Sequence, residues 1–464
     1  MIFADHMTSR YLAVVDADRI QSYVFSSREL KQIRGGSRIL RELTETKLPE
    51  KLGPGEQIVA GGGRVFAVFG QRDQAVAYCR RAAEYFKSFT AASGATWAVA
   101  TWDDDWGLAL DRVFGNLELN KSGRGEASPN SGSPYWKTCE KCGIYPASRS
   151  FPEGGDTQLY CAACAKRRDY SESGRLVAES TKMAGCSLSE IGSFEDLGSH
   201  SRPENYLALV YLDLDRLGAY LKTEGRRCKE RYAEISKEIK AVVESSMTAG
   251  CAAACREMTE GEHVPFEVLL MGGDDAVVML AAQAVFPFLE AFDRQFQALL
   301  PKLSFSAGVV WAHQQFPIAQ FLARAKELVR SAKQKRGNTV DWLIVTQAMI
   351  KPIEDLRRLS SRDGYERTRR PCEIRDFVAL RDTVRTWKSA GMPSRKVKDL
   401  YCAAHEGFEQ GVLDYWFAYS RLEETHRFLW NEFFPNPEGL WENTSPRRTG
   451  AADLAELWDF VEAR

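Results

Sequence analysis

Apolar and polar positions alternate along the chain in blocks that predict a regular order of strands and helices. Apolar runs with the length and composition of buried strands occur at residues 206–212, 266–271, 276–280, 303–310 and 339–345. Amphipathic stretches at residues 285–299 and 318–335 predict helices, and a longer helix-like stretch separates the first two strands. The order begins β-α-β-β-α-β, which is the ferredoxin-like arrangement of a palm domain, with the third strand between the first two.

Acidic residues mark two places in this segment, the end of its first strand and the turn of its hairpin. The strand runs into Asp213-Leu214-Asp215, and the turn reads Gly272-Gly273-Asp274-Asp275. Taken alone, such a turn is often only a solvated hairpin connection. In the ferredoxin-like order, however, the strand end lies beside the turn, and carboxylates so placed can clamp two Mg²⁺ or Mn²⁺ ions. We therefore predict that Asp213, Asp274 and Asp275 form a divalent-metal site for phosphoryl or nucleotidyl transfer.

The same pattern occurs nearer the start of the chain, which indicates an internal duplication. Residues 11–20 parallel residues 207–217, and apolar runs flank a second turn, Gly61-Gly62-Gly63-Arg64, in which both carboxylates are replaced. We interpret Asp16 and Asp18 as structural residues or secondary ligand contacts. The first palm is expected to complete a nucleotide pocket, with Gly62 and Gly63 among its contacts, rather than to catalyse.

Four cysteines lie between the two palms. Cys139 and Cys142 form one CxxC pair, Cys161 and Cys164 form another, and eighteen residues separate the pairs. Four thiolates at this spacing satisfy tetrahedral Zn²⁺ with no open position. We predict a structural zinc ribbon, the alternatives being a redox pair or unbound thiols.

The composition is that of a large chain of several domains. Of its 464 residues 44% are apolar, and its formal net charge is -1, so a nucleic-acid partner would be held by local basic patches. No uninterrupted apolar run has membrane-spanning length, and the first six residues are too few and too acidic for a signal peptide. We expect no membrane contact and a cytoplasmic location.

Polar, turn-rich stretches at residues 122–134 and 192–204 divide the chain. We predict an α+β protein of four domains: a degenerate first palm (1–134), a zinc ribbon with a polar extension (135–204), a catalytic second palm (205–346) and a helical C-terminal domain (347–464).

Two features of the C-terminal part allow more than one interpretation. Arginines crowd residues 357–370, either as a solvated loop or as phosphate contacts to RNA. Aromatic residues recur at helical spacing in residues 413–434, and we expect them to be core rather than a base-stacking surface. The six are Trp416, Phe417, Phe428, Trp430, Phe433 and Phe434.

Further motifs follow one another between residues 11 and 345. They are Ile-Gln-Ser-Tyr-Val-Phe at 20–25, Ile-Arg-Gly-Gly-Ser-Arg-Ile-Leu at 33–40, and Ser-Ala-Gly-Val-Val at 306–310 with His313, Pro317 and Ala332-Lys333. With the two turns, the strand end at 213–218 and the four cysteines, this order resembles the large palm-containing subunit of type III CRISPR effector complexes, the cyclic oligoadenylate synthase. The helical tail fits that family by position only.

The resemblance implies a subunit that binds ATP between its palms and makes cyclic oligoadenylates when the RNA-guided complex captures target RNA. It implies other protein subunits, crRNA and target RNA as partners, ATP as substrate, Mg²⁺ or Mn²⁺, and structural Zn²⁺. Nucleotide contacts are expected at Gly272, Gly273, Asp215, Ser306 and Lys333, where the glycines let backbone approach the phosphates and Lys333 reaches the triphosphate.

The chain also departs from the family pattern. None of its six histidines is followed by aspartate, so we expect no HD nuclease domain and no single-stranded DNase activity in it. Leu214 and Arg216 replace the family's more usual glycine and asparagine. Three alternatives stay open at this point: a diguanylate cyclase, adenylyl transfer to a different small-molecule acceptor, and a scaffold without turnover.

Overall fold

The computed structural model describes residues 10–122, 135–171, 188–257, 263–346, 351–362, 364–406, 408–435 and 439–463. These residues fall into two compact units, each described by itself. The first is drawn from residues 1–179, 216–244 and 268–276, and the second from residues 180–215, 245–267 and 277–464. The turn at 272–275 thus belongs to the same unit as the first palm. Most of the predicted linker, residues 123–134, lies outside the described residues, and the four domain boundaries stay predictions.

A four-stranded sheet forms the first palm. Its strands are β1 (Arg10–Ala17), β2 (Glu56–Gly61), β3 (Arg64–Phe69) and β4 (Ala95–Trp102), in the order β2-β3-β1-β4. Its helices are α1 (Ile20–Val24), α2 (Leu30–Glu42), α3 (Arg72–Thr90) and α4 (Trp106–Ser122), with a π-helical turn at Leu43–Lys47 and a 3₁₀ turn at Pro49–Lys51. Alternate residues of the strands, such as Leu12 and Val14 of β1, bury one face of the sheet against α4, as the two-residue period of a strand requires.

The four cysteines belong to a small separate core beside a hairpin. The hairpin consists of β5 (Arg149–Glu153) and β6 (Asp156–Tyr160), and α5 (Ala162–Ser171) follows it. Tyr160 is buried with the cysteines in this core. Helix α5 packs closely on α2 because Gly35 has no side chain: a Cβ there would lie 1.9 Å from the carbonyl oxygen of Arg167.

A six-stranded sheet contains the second palm. Its strands are β7 (Tyr206–Leu214), β8 (Phe266–Met271), β9 (Asp275–Ala281), β10 (Phe305–His313), β11 (Thr339–Ile344) and β14 (Cys372–Glu373), in the order β14-β11-β10-β7-β9-β8. The accompanying helices are α6 (Phe194–Ser199), α7 (Leu217–Thr223), α8 (Lys229–Glu257), α9 (Val285–Leu299) and α10 (Ile318–Ala332), with a 3₁₀ turn at Ala282–Ala284.

The strand orders of the two sheets confirm both the ferredoxin-like arrangement and the duplication. In the second palm the third strand, β9, lies between β7 and β8, giving β10-β7-β9-β8. In the first palm the order β4-β1-β3-β2 is the same. The two palms therefore share one topology, and corresponding residues can be compared by strand position.

The C-terminal part is mainly helical, as predicted. Its helices are α11 (Ile353–Ser360), α12 (Ile374–Ser389), α13 (Ser394–His405), α14 (Phe408–Ser420), α15 (Glu424–Phe433) and α16 (Ala451–Leu457), followed by a 3₁₀ turn at Trp458–Phe460. A small sheet contains β12 (Ser361–Arg362), β13 (Tyr365–Glu366) and β15 (Arg447–Arg448) in the order β12-β13-β15. Among the described helices, none has the length and apolar character needed to cross a membrane.

The expectation that all six aromatic residues at 416–434 are core is wrong in part. Trp430 and Phe434 are buried, but Phe417 and Phe428 are 57% and 64% exposed and Trp416 is 40% exposed. The rings of α14 and α15 lie on both faces of these helices, and a helical period alone does not say which face another element covers.

Candidate functional site

The Gly272–Asp275 turn is a tight connection between β8 and β9. The amide of Gly272 donates to the carbonyl oxygen of Asp275 at 2.7 Å, which closes the hairpin. A Cβ at Gly272 would lie 2.3 Å from Oδ1 of Asp275, so the glycine leaves room for this carboxylate. Asp274 is exposed and Asp275 is half-buried. The turn thus presents two adjacent carboxylates of different exposure.

Residues of the first palm contact this turn directly. The amide Nε2 of Gln21 donates to Oδ2 of Asp275 at 3.1 Å. Gly62, whose φ is +59°, approaches so closely that a Cβ there would lie 2.8 Å from the backbone nitrogen of Gly273. The structure therefore brings Gly62, Gly273 and Asp275 of the predicted site together. The neighbouring Gly63 also has positive φ, at +84°, which suits the second central position of a primed hairpin turn.

The acidic end of β7 is held by residues of its own unit. The Nζ of Lys333, just after α10, lies 2.9 Å from Oδ1 of Asp213. Asp215 accepts hydrogen bonds from the hydroxyls of Ser304 and Ser306, both at 2.8 Å. Ser306 is fully buried and lies opposite Asp213 in the antiparallel pairing of β7 with β10. Lys333 thus meets a carboxylate, and the Ser306 hydroxyl supports Asp215.

The first palm repeats this arrangement, but its turn has Gly63 and the cation Arg64 where the second palm has Asp274 and Asp275. Asp16 lies opposite Arg64 in the pairing of β1 with β3, and Nε of Arg64 lies 2.8 Å from its Oδ1. The Nζ of Lys121, at the end of α4, lies 2.5 Å from the other oxygen of Asp16. Two cationic side chains therefore surround Asp16, where a metal site would need further carboxylates.

Charge at Arg64 is consistent with that substitution. Burial acts to lower the pKa of Arg64, but the carboxylate of Asp16, Tyr232 and the charge of Asp274 together raise it above its ordinary value. Arg64 is therefore a permanent cation, which satisfies Asp16 and is felt by Asp274 of the acidic turn.

The residues that follow β1 in the first palm and β7 in the second palm also correspond in their contacts and backbone conformation. Thr96 donates to Asp18 at 2.7 Å, as Ser306 does to Asp215. The next residues, Arg19 and Arg216, both have the left-handed backbone conformation, with φ of 53° and 54°. Asp18 and Asp215 are thus held in the same way, two positions before a short helix in each palm.

The four cysteines converge as the ribbon prediction requires. One ligand atom from each of Cys139, Cys142, Cys161 and Cys164 lies within 4.8 Å of the others. The sulfurs of Cys142 and Cys161 are 3.9 Å apart, close to the separation of two thiolates on a tetrahedral zinc with Zn–S bonds of about 2.3 Å. Hydrogen bonds from Cys142, Cys161 and Cys164 lower the pKa of the Cys139 thiol, and the same close contacts raise the pKa of Cys161 and of Cys164. Within the described ranges, no other three or more potential metal ligands converge to this distance, and the predicted Asp213, Asp274 and Asp275 are not such a group.

Two arginines of the arginine-rich segment fit neither of its interpretations, whereas the exposed Arg358 fits the solvated one. Arg357 pairs with the fully buried Asp341 of β11, and Arg370 pairs with Asp453 at 2.9 Å and with Glu456 at 2.7 Å. The side chain of Arg370 is only 6% exposed. These two arginines are structural cations, neither solvated nor available to RNA.

Two contacts of the site were missed by the sequence analysis. Gln21 lies within a quoted motif, but its partner Asp275 is 254 positions away and no spacing rule connects them. Lys121 could have been found by aligning the ends of α4 and α10, since it stands to Asp16 as Lys333 stands to Asp213.

Two palms of one topology, with a four-cysteine ribbon between them in sequence, define a protein of the tandem-palm class. Residues 206–340 match the family model of the second palm domain of Cas10/Cmr2. This match confirms the predicted resemblance over the second palm. No curated protein matches the chain in sequence.

Several solved structures of similar fold contain the Csm1-Csm4 cassette. The chain resembles a chain of the Csm1-Csm4 cassette in complex with cA4 at 15% identity and a TM-score of 0.60, covering 90% of this chain and 65% of that one. For the cassette in complex with pppApA, the identity is 14% and the TM-score 0.63, and the match covers 99% of this chain and 70% of that one. For the cassette in complex with one ATP, the identity is 14% and the TM-score 0.60, and the match covers 98% of this chain and 70% of that one. At such identities the likeness establishes the fold.

Proposed function

We propose that this chain is the large subunit of a type III CRISPR effector complex and a metal-dependent nucleotidyltransferase. It converts ATP into cyclic oligoadenylates when the RNA-guided complex binds target RNA. The observation that carries the proposal is the contact of the acidic turn with the first palm, through Gly62 and Gln21, in a fold shared with chains of cassettes solved in complex with ATP and with cA4.

The donor set suits hard divalent cations. Asp213 ends β7 and Asp274 and Asp275 precede or begin β9, its neighbour in the sheet. Carboxylate oxygens are the ligands that Mg²⁺ and Mn²⁺ prefer, and these three residues would hold them. Bound there, the cations would lower the pKa of a ribose 3′-hydroxyl and neutralise charge on the α-phosphate and the leaving pyrophosphate.

The remaining residues bind and orient. Gly272 and Gly273 let the backbone of the turn approach the phosphates, and Lys333 contacts the triphosphate once it leaves Asp213. Asp215 and Ser306 complete the nucleotide site from the end of β7, where their mutual hydrogen bond fixes the backbone beside Asp213. Gly62 and Gly63 contribute to the acceptor-nucleotide side.

The ribbon and the partners follow from the same assignment. Zn²⁺ on the four cysteines has a structural role, since a closed set of four sulfurs leaves no position for a reacting water. The protein partners would be other subunits of the complex, as Csm4 is in the cassettes, together with crRNA and target RNA in the cytoplasm.

The purified chain, alone and assembled with its complex and target RNA, should be incubated with Mn²⁺ and each nucleoside triphosphate in turn. We expect cyclic oligoadenylates and pyrophosphate from ATP alone, identified by mass. An adenylylated small molecule would replace the proposal with transfer to a different acceptor. Absence of turnover in every state of a folded protein would make the chain a scaffold.

A further inference from the structure

The proposed metal site contains a carboxylate that is oriented from the other palm. One oxygen of Asp275 faces Gly272, where a Cβ would lie 2.3 Å from it. The other oxygen accepts the hydrogen bond from Gln21 at 3.1 Å. The space left by Gly272 admits one carboxylate oxygen, and the hydrogen bond from Gln21 orients the other.

The chemistry of the donor distinguishes this contact from the ion pairs of the first palm. Arg64 and Lys121 are cations and cancel the charge of Asp16. The amide of Gln21 is neutral, so it orients Asp275 and leaves its negative charge available to a cation. A neutral donor is the kind of group that places a metal ligand without competing with the metal.

The duplication shows that Gln21 is not needed for its helix to form. Asp18-Arg19-Ile20-Gln21 corresponds to Asp215-Arg216-Leu217-Gly218 in the second palm. Helix α7 begins after Arg216 as α1 begins after Arg19, yet it has glycine at the fourth position, with nothing within 4 Å of its added Cβ. The glutamine is therefore explained by its long-range contact with Asp275 rather than by the start of the helix.

Helix α1 is itself held by the zinc ribbon. Arg167 of α5 is 1% exposed, and its guanidinium lies 4.2 Å from the ring centroid of Tyr23 on α1. Its Nη1 donates to the hydroxyl of Ser26, just after α1, at 2.6 Å. Cys161 and Cys164 flank the start of α5, so two of the four cysteines lie at the beginning of the helix that carries Arg167.

We propose that Gln21 is a positioning residue for Asp275 and that Arg167 of the zinc-ribbon helix holds the short helix that carries it. The path runs from the ribbon through Arg167, Tyr23 and Gln21 to the acidic turn, and all of its members belong to one compact unit. The inference rests on the proposed function in one respect, that Asp275 binds a divalent cation.

The test is binding of Mn²⁺ alone to the full chain, followed by electron paramagnetic resonance of the free ion. The site-specific part is the difference between wild type and Asp274→Ala with Asp275→Ala. Gln21→Leu is expected to weaken that part about tenfold, the loss typical of one hydrogen bond to a charged group, with an unchanged melting temperature. The matched control is Gln297→Leu, which removes a 3.0 Å glutamine-to-aspartate bond on the surface of α9 and should change neither quantity.

The support from the ribbon is tested with Arg167→Met, which should weaken Mn²⁺ binding while elemental analysis still finds zinc. If that variant loses zinc or unfolds, Ser26→Ala decides, with an expected loss of about threefold and Ser22→Ala as control. Wild-type binding by Gln21→Leu would overturn the inference even if ATP turnover is observed. Absence of turnover in wild type counts against the proposed function, and the binding comparison still decides the role of Gln21.

Discussion

The Nζ of Lys333 and Oδ1 of Asp213 are 2.9 Å apart, so the ammonium group forms an ion pair with a carboxylate that is proposed to bind metal. In the proposed function, a cation bound through this oxygen of Asp213 would displace the lysine, which would then be available to the triphosphate. Metal binding and phosphate binding would thus be linked through a single side chain.

Lys333→Met should change the concentrations of Mn²⁺ and of ATP that the reaction requires in opposite directions. The half-saturating Mn²⁺ concentration should fall several-fold, because the metal no longer competes with the ammonium, and the half-saturating ATP concentration should rise several-fold. Steady-state kinetics with each component varied in turn measures both, and Lys335→Met, an exposed lysine two positions on, is the control. Parallel changes, or none, would show that the ion pair is incidental.

Asp16→Ala should reduce stability more than Asp213→Ala but reduce activity less. It leaves Arg64 and Lys121 facing each other without their shared carboxylate, which we expect to cost about 1–3 kcal/mol of unfolding free energy because both cations are partly solvated. Denaturant unfolding and turnover rates measure the two effects. Asp16→Ala should raise the ATP requirement more than it lowers the maximal rate, and equal near-total losses of rate would make the first palm catalytic.

The helix and strand pattern was readable from sequence because apolar period and length fix local structure. Strand β8 and helix α9 have the predicted bounds, 266–271 and 285–299. The long-range partners were not readable. Nothing in the sequence places Gln21 against Asp275, or Arg370 against residues more than 80 positions away, since tertiary packing alone brings them together. Exposure of Phe417 and Phe428 was misjudged for the same reason.

Replacement of a ribbon cysteine should release zinc. Cys139→Ser or Cys161→Ser is expected to lower the melting temperature and the zinc content from about one ion per chain toward none, because metal binding is coupled to local folding. Elemental analysis and thermal unfolding measure these effects, with the exposed Cys228→Ser as control. Purified wild type without zinc would end the assignment.

Arg370→Met should act on stability and leave RNA binding unchanged. Its removal strands the fully buried Asp453, so we expect a loss of about 3–5 kcal/mol in unfolding free energy. Arg358, whose side chain is 80% exposed, offers the control Arg358→Met, which should cost less than about 0.5 kcal/mol. A stable Arg370→Met protein with weakened RNA affinity would restore the phosphate-contact interpretation.

Metal-dependent catalysis at the acidic turn is tested most sharply by the variant Asp274→Ala with Asp275→Ala. Its rate of cyclic oligoadenylate formation from ATP and Mn²⁺ should be measured. We expect a rate below about one thousandth of wild type, since several kcal/mol of transition-state stabilisation depend on the metals. Fold and complex assembly should be intact, and the exposed pair Asp103→Ala with Asp104→Ala should retain the wild-type rate. Product formation at the wild-type rate by this variant would contradict a catalytic metal site at the turn.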